Sequence, residues 1–130
     1  MKILMLGSRQ VGSTPAKYPC SADDNDITIV DQVEDKLTPL QRHLDIKTVV
    51  GYGAYPSVLE KAGIKTMDMV IAVMGSDERN MVACRMAHTL YHVDKKIARI
   101  RTTEYLLRPE IFSNEALPID FLITQIGRAS

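Results

Sequence analysis

Cysteine is scarce in this 130-residue chain, which has only Cys20 and Cys84. Two thiols so far apart supply neither a disulfide framework nor a metal-ligand cluster, and they fit a reducing, cytoplasmic setting. Net charge is missing as well: sixteen Lys+Arg balance sixteen Asp+Glu. Bulk charge therefore argues against a nucleic-acid binder, although local basic patches stay open. Long apolar runs are absent. The longest nearly apolar stretch, Met69 to Gly75, is far short of the ~20 residues that a membrane helix requires. The opening MKILMLG runs directly into a glycine loop without a signal-peptide cleavage pattern. Catalytic signatures are thin too. There is no G-x-S-x-G elbow, and His43, His88 and His92 are scattered. His88 and His92 fall one helical turn apart, a permissible metal pair, but a solvated helix face explains such a pair more often.

What is present is ordinary globular material, 45% hydrophobic and 25% charged, of a length that suits a single domain. Four short aliphatic runs stand out: KILML (2–6), ITIV (27–30), KTVV (47–50) and MVIAV (69–73). They are continuous rather than alternating, as strands buried on both faces of a parallel sheet are. IARIR (97–101) and IDFLI (119–123) extend the series to about six. Helical signals lie between them. Val33, Leu37, Leu40 and Leu44 recur at helical spacing; Pro56 opens and Gly63 closes a short helix; Asp77 to Tyr91 reads as a longer one capped by Ser76 or Asp77. Strand and helix alternate along the chain, which predicts a Rossmann-like, doubly wound α/β fold.

The sharpest motif is Gly7-Ser8-Arg9-Gln10-Val11-Gly12, directly after the first strand. It has the spacing of G-x-G-x-x-G with Arg9 in place of the middle glycine. In that pattern the glycines permit a tight turn, backbone approach to a pyrophosphate and close helix packing. A second strand ends in Asp31, nineteen residues after Gly12, where an acid accepts hydrogen bonds from a ribose diol. Asp31 can equally cap a helix beginning near Val33. Arg9 either clashes with the phosphates or pairs with them as a cation. Pro15 and Pro19 fall inside the expected first helix, and Pro19 should shorten or kink it. Three further loops follow strands. Gly51 and Gly53 permit either approach to an adenine or simply a turn. Met74-Gly75-Ser76-Asp77 offers amides to a ligand or a cap to the long helix. Arg99 or Arg101 either reaches a phosphate or, with Lys95 and Lys96, forms a solvated basic edge that protects a strand from aggregation.

Taken in order, GSRQVG, DITIVD, GYGAYPSVLEKAG, MDMVIAVMGSDERNMVACRMAHTL and KKIARIRTTEY resemble the nucleotide-binding regulatory domain of potassium channels and transporters, called RCK or KTN. The likeness is greatest to the N-terminal half of the regulatory subunit of bacterial Trk-type potassium uptake. It spans residues 1–123, leaving 124–130 as a tail or the start of a crossover. The family pattern has glycine at Arg9 and apolar helix residues at Pro15 and Pro19. The resemblance implies a cytoplasmic regulator, peripheral at the inner face of the cell membrane, that binds NAD(H) or else ATP or ADP. Its implied partners are a membrane potassium transporter subunit and further copies of itself, assembled into a ring through dimers. Carried over by position, nucleotide contacts fall on Gly7, Ser8, Arg9, Gln10, Val11, Gly12, Asp31, Met74, Gly75 and Arg99. The alternatives are the cofactor domain of an NAD-dependent oxidoreductase whose catalytic domain lies elsewhere, and an interaction module that has lost its ligand. Apolar Met81, Met86, Leu90 and Tyr91 on the long helix also favour an oligomer.

Overall fold

The chain was analysed as a computed structural model that describes residues 1–7, 25–42, 46–113 and 116–123. Six strands form one parallel sheet: β1 (Lys2–Leu6), β2 (Asp26–Asp31), β3 (Ile46–Val50), β4 (Met69–Ala72), β5 (Lys95–Arg99) and β6 (Phe121–Ile123). Their order is β3-β2-β1-β4-β5-β6, so the chain winds outward one way from β1 and then returns to wind outward the other way. Between β1 and β4 the order reverses, and the loops leaving their carboxyl ends diverge to open a crevice. The expectation of a doubly wound parallel sheet of about six strands therefore holds.

Side-chain alternation splits each central strand between two layers. Leu4, Leu6, Val70 and Ala72 belong to one buried cluster; Ile3, Met5, Ile71 and Val73 belong to the other. The first layer is covered by α2 (Pro56–Lys61) and α3 (Asp77–Thr89). Small residues on α3, Ala83, Cys84 and Ala87, let it approach the sheet closely, and all three are buried. Among the described residues, the second layer is closed by Leu37 and Leu40.

Several boundaries differ from the sequence reading for identifiable reasons. The helix expected from Val33 to Leu44 is a single turn, α1 (Glu34–Leu37), followed by a 3₁₀ turn at Leu40–Arg42. Pro39 has no N–H to continue the ladder and disfavours helical backbone before it. Leu37 and Leu40 are still buried as expected, whereas Val33 is exposed. α3 stops at Thr89 rather than Tyr91, and His92 takes the left-handed conformation (φ 54°). The Val93 amide then closes onto the Ala87 carbonyl at 2.9 Å. His92 thus lies beyond the helix, although its amide still donates to the His88 carbonyl at 3.2 Å. Met81, Met86 and Tyr91 pack against the core; the apolar residues that α3 and its end leave exposed are Val82 and Leu90.

The basic edge is corrected outright. β5 lies between β4 and β6, so it is not an edge strand. Two of its cations are buried: Lys96 is 4% exposed and Arg99 2%. Lys96 donates to the carbonyls of Val93 (2.9 Å) and Asp94 (3.2 Å), with the Asp120 carboxylate 3.7 Å away. That carboxylate also accepts from the Lys96 amide at 2.7 Å, fixing β6 beside β5. Past β5, α4 (Thr103–Leu106) begins with the Thr102 hydroxyl accepting from the Glu104 amide.

Candidate functional site

A small cleft of about 100 Å³ opens at the carboxyl ends of the central strands. Its floor is Gly7, Gly51, Gly53, Met74 and Gly75. One wall comes from the end of β2 and from α1: Val30, Asp31, Gln32, Val33 and Lys36. The opposite rim is Tyr52 and Arg79.

Gly7 sits where β1 ends. Its φ of 95° is unfavourable to other residues, and a Cβ there would meet the Val73 carbonyl oxygen at 2.8 Å. The Gly7 amide donates to the Val30 carbonyl at 2.7 Å, extending the ladder between β1 and β2. The left-handed backbone at Gly7 is what a turn at the end of the strand requires. Ser8, Arg9, Gln10, Val11 and Gly12, together with Pro15, Pro19 and Cys20, lie outside the described residues.

Asp31 ends β2, is 7% exposed and lines the cleft. Its Oδ1 accepts the Val33 amide at 2.9 Å, a local turn contact that orients the carboxylate. The helix cap foreseen for this acid is not made, since α1 has Val33 as its N-cap without a side-chain cap bond. Gly51 and Gly53 have packing reasons of their own. A Cβ on Gly51 would meet Val58 at 2.8 Å, and one on Gly53 would meet the Met74 sulfur at 3.0 Å.

Met74 and Gly75 line the cleft as expected, but Arg99 is not among its lining residues. Arg99 lies beneath the loop, where Nη2 donates to the carbonyls of Val73 (3.0 Å) and Met74 (2.6 Å). Arg101 braces the same loop by donating to the Gly75 carbonyl at 3.2 Å. Ser76 caps α3, its Oγ accepting the Arg79 amide at 3.3 Å. Asp77 is turned outward to accept from the amides of Arg101 (3.0 Å) and Thr102 (2.8 Å). Sequence reasoning missed Asn80. Fully buried, its side-chain oxygen accepts the Met74 amide at 2.7 Å while Nδ2 donates to the carbonyls of Arg99 (2.8 Å) and Met74 (3.3 Å). The available signal was its phase: Asn80 precedes Ala83, Cys84 and Ala87 on the helix face turned to the sheet.

Among the described residues no three His, Cys, Asp or Glu side chains converge as a metal ion would require. Nor is any helix there long and apolar enough to cross a membrane. Burial pushes the Cys84 thiol up to about 12, so it stays protonated, and it serves as core packing.

Known proteins share this arrangement. The Trk system potassium uptake protein TrkA of Halomonas elongata is 52% identical over 124 residues, which covers 95% of this chain and 27% of the relative. The chain thus spans about a quarter of the length of the curated relatives that it matches most strongly. Among solved structures, the Shewanella denitrificans Kef C-terminal domain in its AMP-bound form superposes with a TM-score of 0.77 at 18% identity, covering 99% of this chain and 75% of that one. The GsuK channel bound to NAD gives 0.67 at 20% identity, covering 89% of this chain and 21% of that one. A short-chain dehydrogenase/reductase of Veillonella parvula in complex with NADP gives 0.62 at 18% identity, covering 91% and 57%. Such low identities establish the fold alone, and that fold is common to regulators and enzymes. The domain family that matches residues 3–124 is narrower, and by that match the chain belongs to the TrkA-N domain family.

Proposed function

We propose that residues 1–123 form the nucleotide-binding regulatory domain of a potassium uptake system, a regulator and not an enzyme, whose ligand is NAD(H) ahead of ATP or ADP. The observation that carries this reading is the Asp31 carboxylate at the end of β2, facing a cleft floored by Gly7 at the point where strand order reverses. A carboxylate so placed accepts hydrogen bonds from both hydroxyls of an adenosine ribose and repels a 2′-phosphate. Phosphates then fall toward the Gly7–Gly12 segment, with Met74 and Gly75 on the far side and Arg99 holding their loop from below. The match to the Halomonas protein named for potassium uptake supports the transport role, and the neighbours solved with AMP and NAD support an adenine nucleotide.

Regulation follows from where the cleft's loops lead. Met74 and Gly75 contact the ligand space and are tied through Asn80, Arg99 and Arg101 to β5 and the start of α4. A nucleotide that shifts this loop moves the far half of the sheet with it. In our reading such domains assemble as a ring of dimers at the inner face of the cell membrane, where that movement gates the transporter subunit.

Calorimetry of the Asp31→Ala and Asp31→Asn variants tests the ligand. A hydrogen bond to a charged group contributes roughly 1.5–3 kcal/mol, so Asp31→Ala should weaken NADH binding by about ten- to a hundredfold. Asn keeps an oxygen for the Val33 amide but loses the charge. Asp31→Asn should therefore retain the melting temperature while losing preference for NADH over NADPH. Intact NADH affinity in both variants would defeat the ribose role.

A further inference from the structure

Arg79 belongs to the first turn of α3, which follows β4, whereas Tyr52 belongs to the loop that follows β3. In the sheet order β2 and β1 lie between those two strands. Even so, the Arg79 guanidinium carbon sits 5.0 Å from the centroid of the Tyr52 ring. The loop after β3 comes back over the end of β1, where Gly53 packs against Leu6 and Met74, and Arg79 meets Tyr52 there. The Tyr52 ring is held in turn by an edge-on contact with Tyr55, centroids 4.6 Å apart at 69°. Both Tyr52 and Arg79 line the cleft.

We infer that Arg79 and Tyr52 form an exchangeable clasp that makes the site selective for phosphorylated adenine ligands over the bare nucleoside. The inference rests on the adenine-nucleotide reading above. With the ribose on Asp31 at the end of β2, the base extends toward the loop after β3, onto Tyr52, and the phosphates extend toward β1, beneath Arg79. The guanidinium then has two competing uses, the ring face and a phosphate. An exposed cation–π contact is weak, and a forked, charge-assisted bond to a phosphate is stronger, so a phosphate draws the arginine off the ring. Its departure uncovers the Tyr52 face for the base to stack on. A nucleoside without phosphates has to displace the arginine with nothing to hold it elsewhere. Phosphate binding and base stacking therefore assist one another.

Titrating the 130-residue chain with ADP, NADH and adenosine tests the clasp, with tyrosine emission as a second readout because the chain has no tryptophan. Arg79→Gln should weaken ADP and NADH by roughly tenfold, since it removes a charge-assisted phosphate contact, while adenosine binds as well or better. Tyr52→Leu should weaken all three by a similar factor, and ADP should no longer perturb the emission as it does in the parent chain. Equal losses for ADP and adenosine in Arg79→Gln, or unchanged ADP affinity, would overturn the clasp while leaving nucleotide binding in place. If the parent chain bound none of the three, the nucleotide reading would fall and the clasp with it.

Discussion

The two walls of the cleft are built in opposite ways. On the α3 side, the Met74–Asp77 loop is bolted down by the buried Asn80 and Arg99 and by the exposed Arg101, all donating to its carbonyls. On the β2 side, among the described residues, α1 is a single turn, Gln32 and Lys36 are exposed, and the Asp31 carboxylate accepts from the Val33 amide. A buried hydrogen-bond network has few alternative arrangements, and partial loss of it is costly. A short exposed turn can adjust around a ligand at small expense. Under the proposed function, the difference gives transmission to the α3 wall and accommodation to the β2 wall.

The most damaging way to break this contrast is Asn80→Ala. It strands the Met74 amide and the Arg99 carbonyl in a dry interior, while the Met74 carbonyl keeps its bond from Arg99, and each unsatisfied buried group costs roughly 1–3 kcal/mol before relaxation. We expect a loss of about 3 kcal/mol in denaturant unfolding, among the larger values seen for a single substitution. Lys36→Ala on the opposite wall should stay within about 0.5 kcal/mol, as exposed changes do. Comparable losses from both variants would erase the distinction between the walls.

How much of this was legible beforehand depends on whether a residue's role is local. The six strands and the Pro56-to-Gly63 helix rest on propensity, periodicity and turn chemistry within a few residues, and all were readable. So was Gly7, because a tight turn after a strand leaves few other choices. Lys96 and Arg99 were not. Their burial depends on β6 returning beside β5 and on carbonyls from the neighbouring loop accepting their protons, and neither is encoded near them. Arg99 shows the consequence: its charge suggested a phosphate, while its described bonds go to backbone. The helix after Asp31 is shorter than its apolar periodicity suggests because Pro39 interrupts it. Tyr52 facing Arg79 joins the loop after β3 to the start of α3, a pairing that no spacing rule supplies.

A middle-sized effect sharpens the picture of the bolted wall. Asp77→Ala removes the acceptor shared by the Arg101 and Thr102 amides, which join β5 to α4. Those amides lie near solvent and can recruit water, so the expected loss is about 1 kcal/mol. Hydrogen exchange at Arg101 and Thr102 should accelerate while Asn80 side-chain protection holds. Acceleration spread evenly over β4 and β5 would instead make Asp77 part of the inner network.

Cys84 offers a probe of the same wall that changes no contact. Burial holds its thiol at about 12, above the usual 9.0. The raised value means that its contribution to stability is complete below the unfolded thiol's pKa and is lost as pH rises from there through the folded value. In a Cys20→Ser background at pH 8, a thiol reagent should modify the folded chain only as fast as it opens, and the unfolded chain at once. Fast modification of the folded chain would show that α3 lifts readily from β5.

The smallest effect belongs to the outermost contact of that wall. The Tyr105 hydroxyl of α4 donates to Glu78 of α3 at 2.8 Å. Glu78 is held below the ordinary carboxylate range, first by that hydrogen bond and then by its own amide and the Ser76 hydroxyl. The Tyr105 phenol is raised, mainly by the same bond. A depressed carboxyl contributes stability above its unfolded pKa and loses it as pH falls through the folded value, so α4 should loosen from α3 only in acid. In Tyr105→Phe, the Glu78 titration followed by NMR should move up toward the ordinary range, with the melting temperature at pH 7 nearly unchanged. An unmoved Glu78 midpoint would assign its depression to the α3 amide and Ser76 and leave α4 uncoupled from the bolted wall.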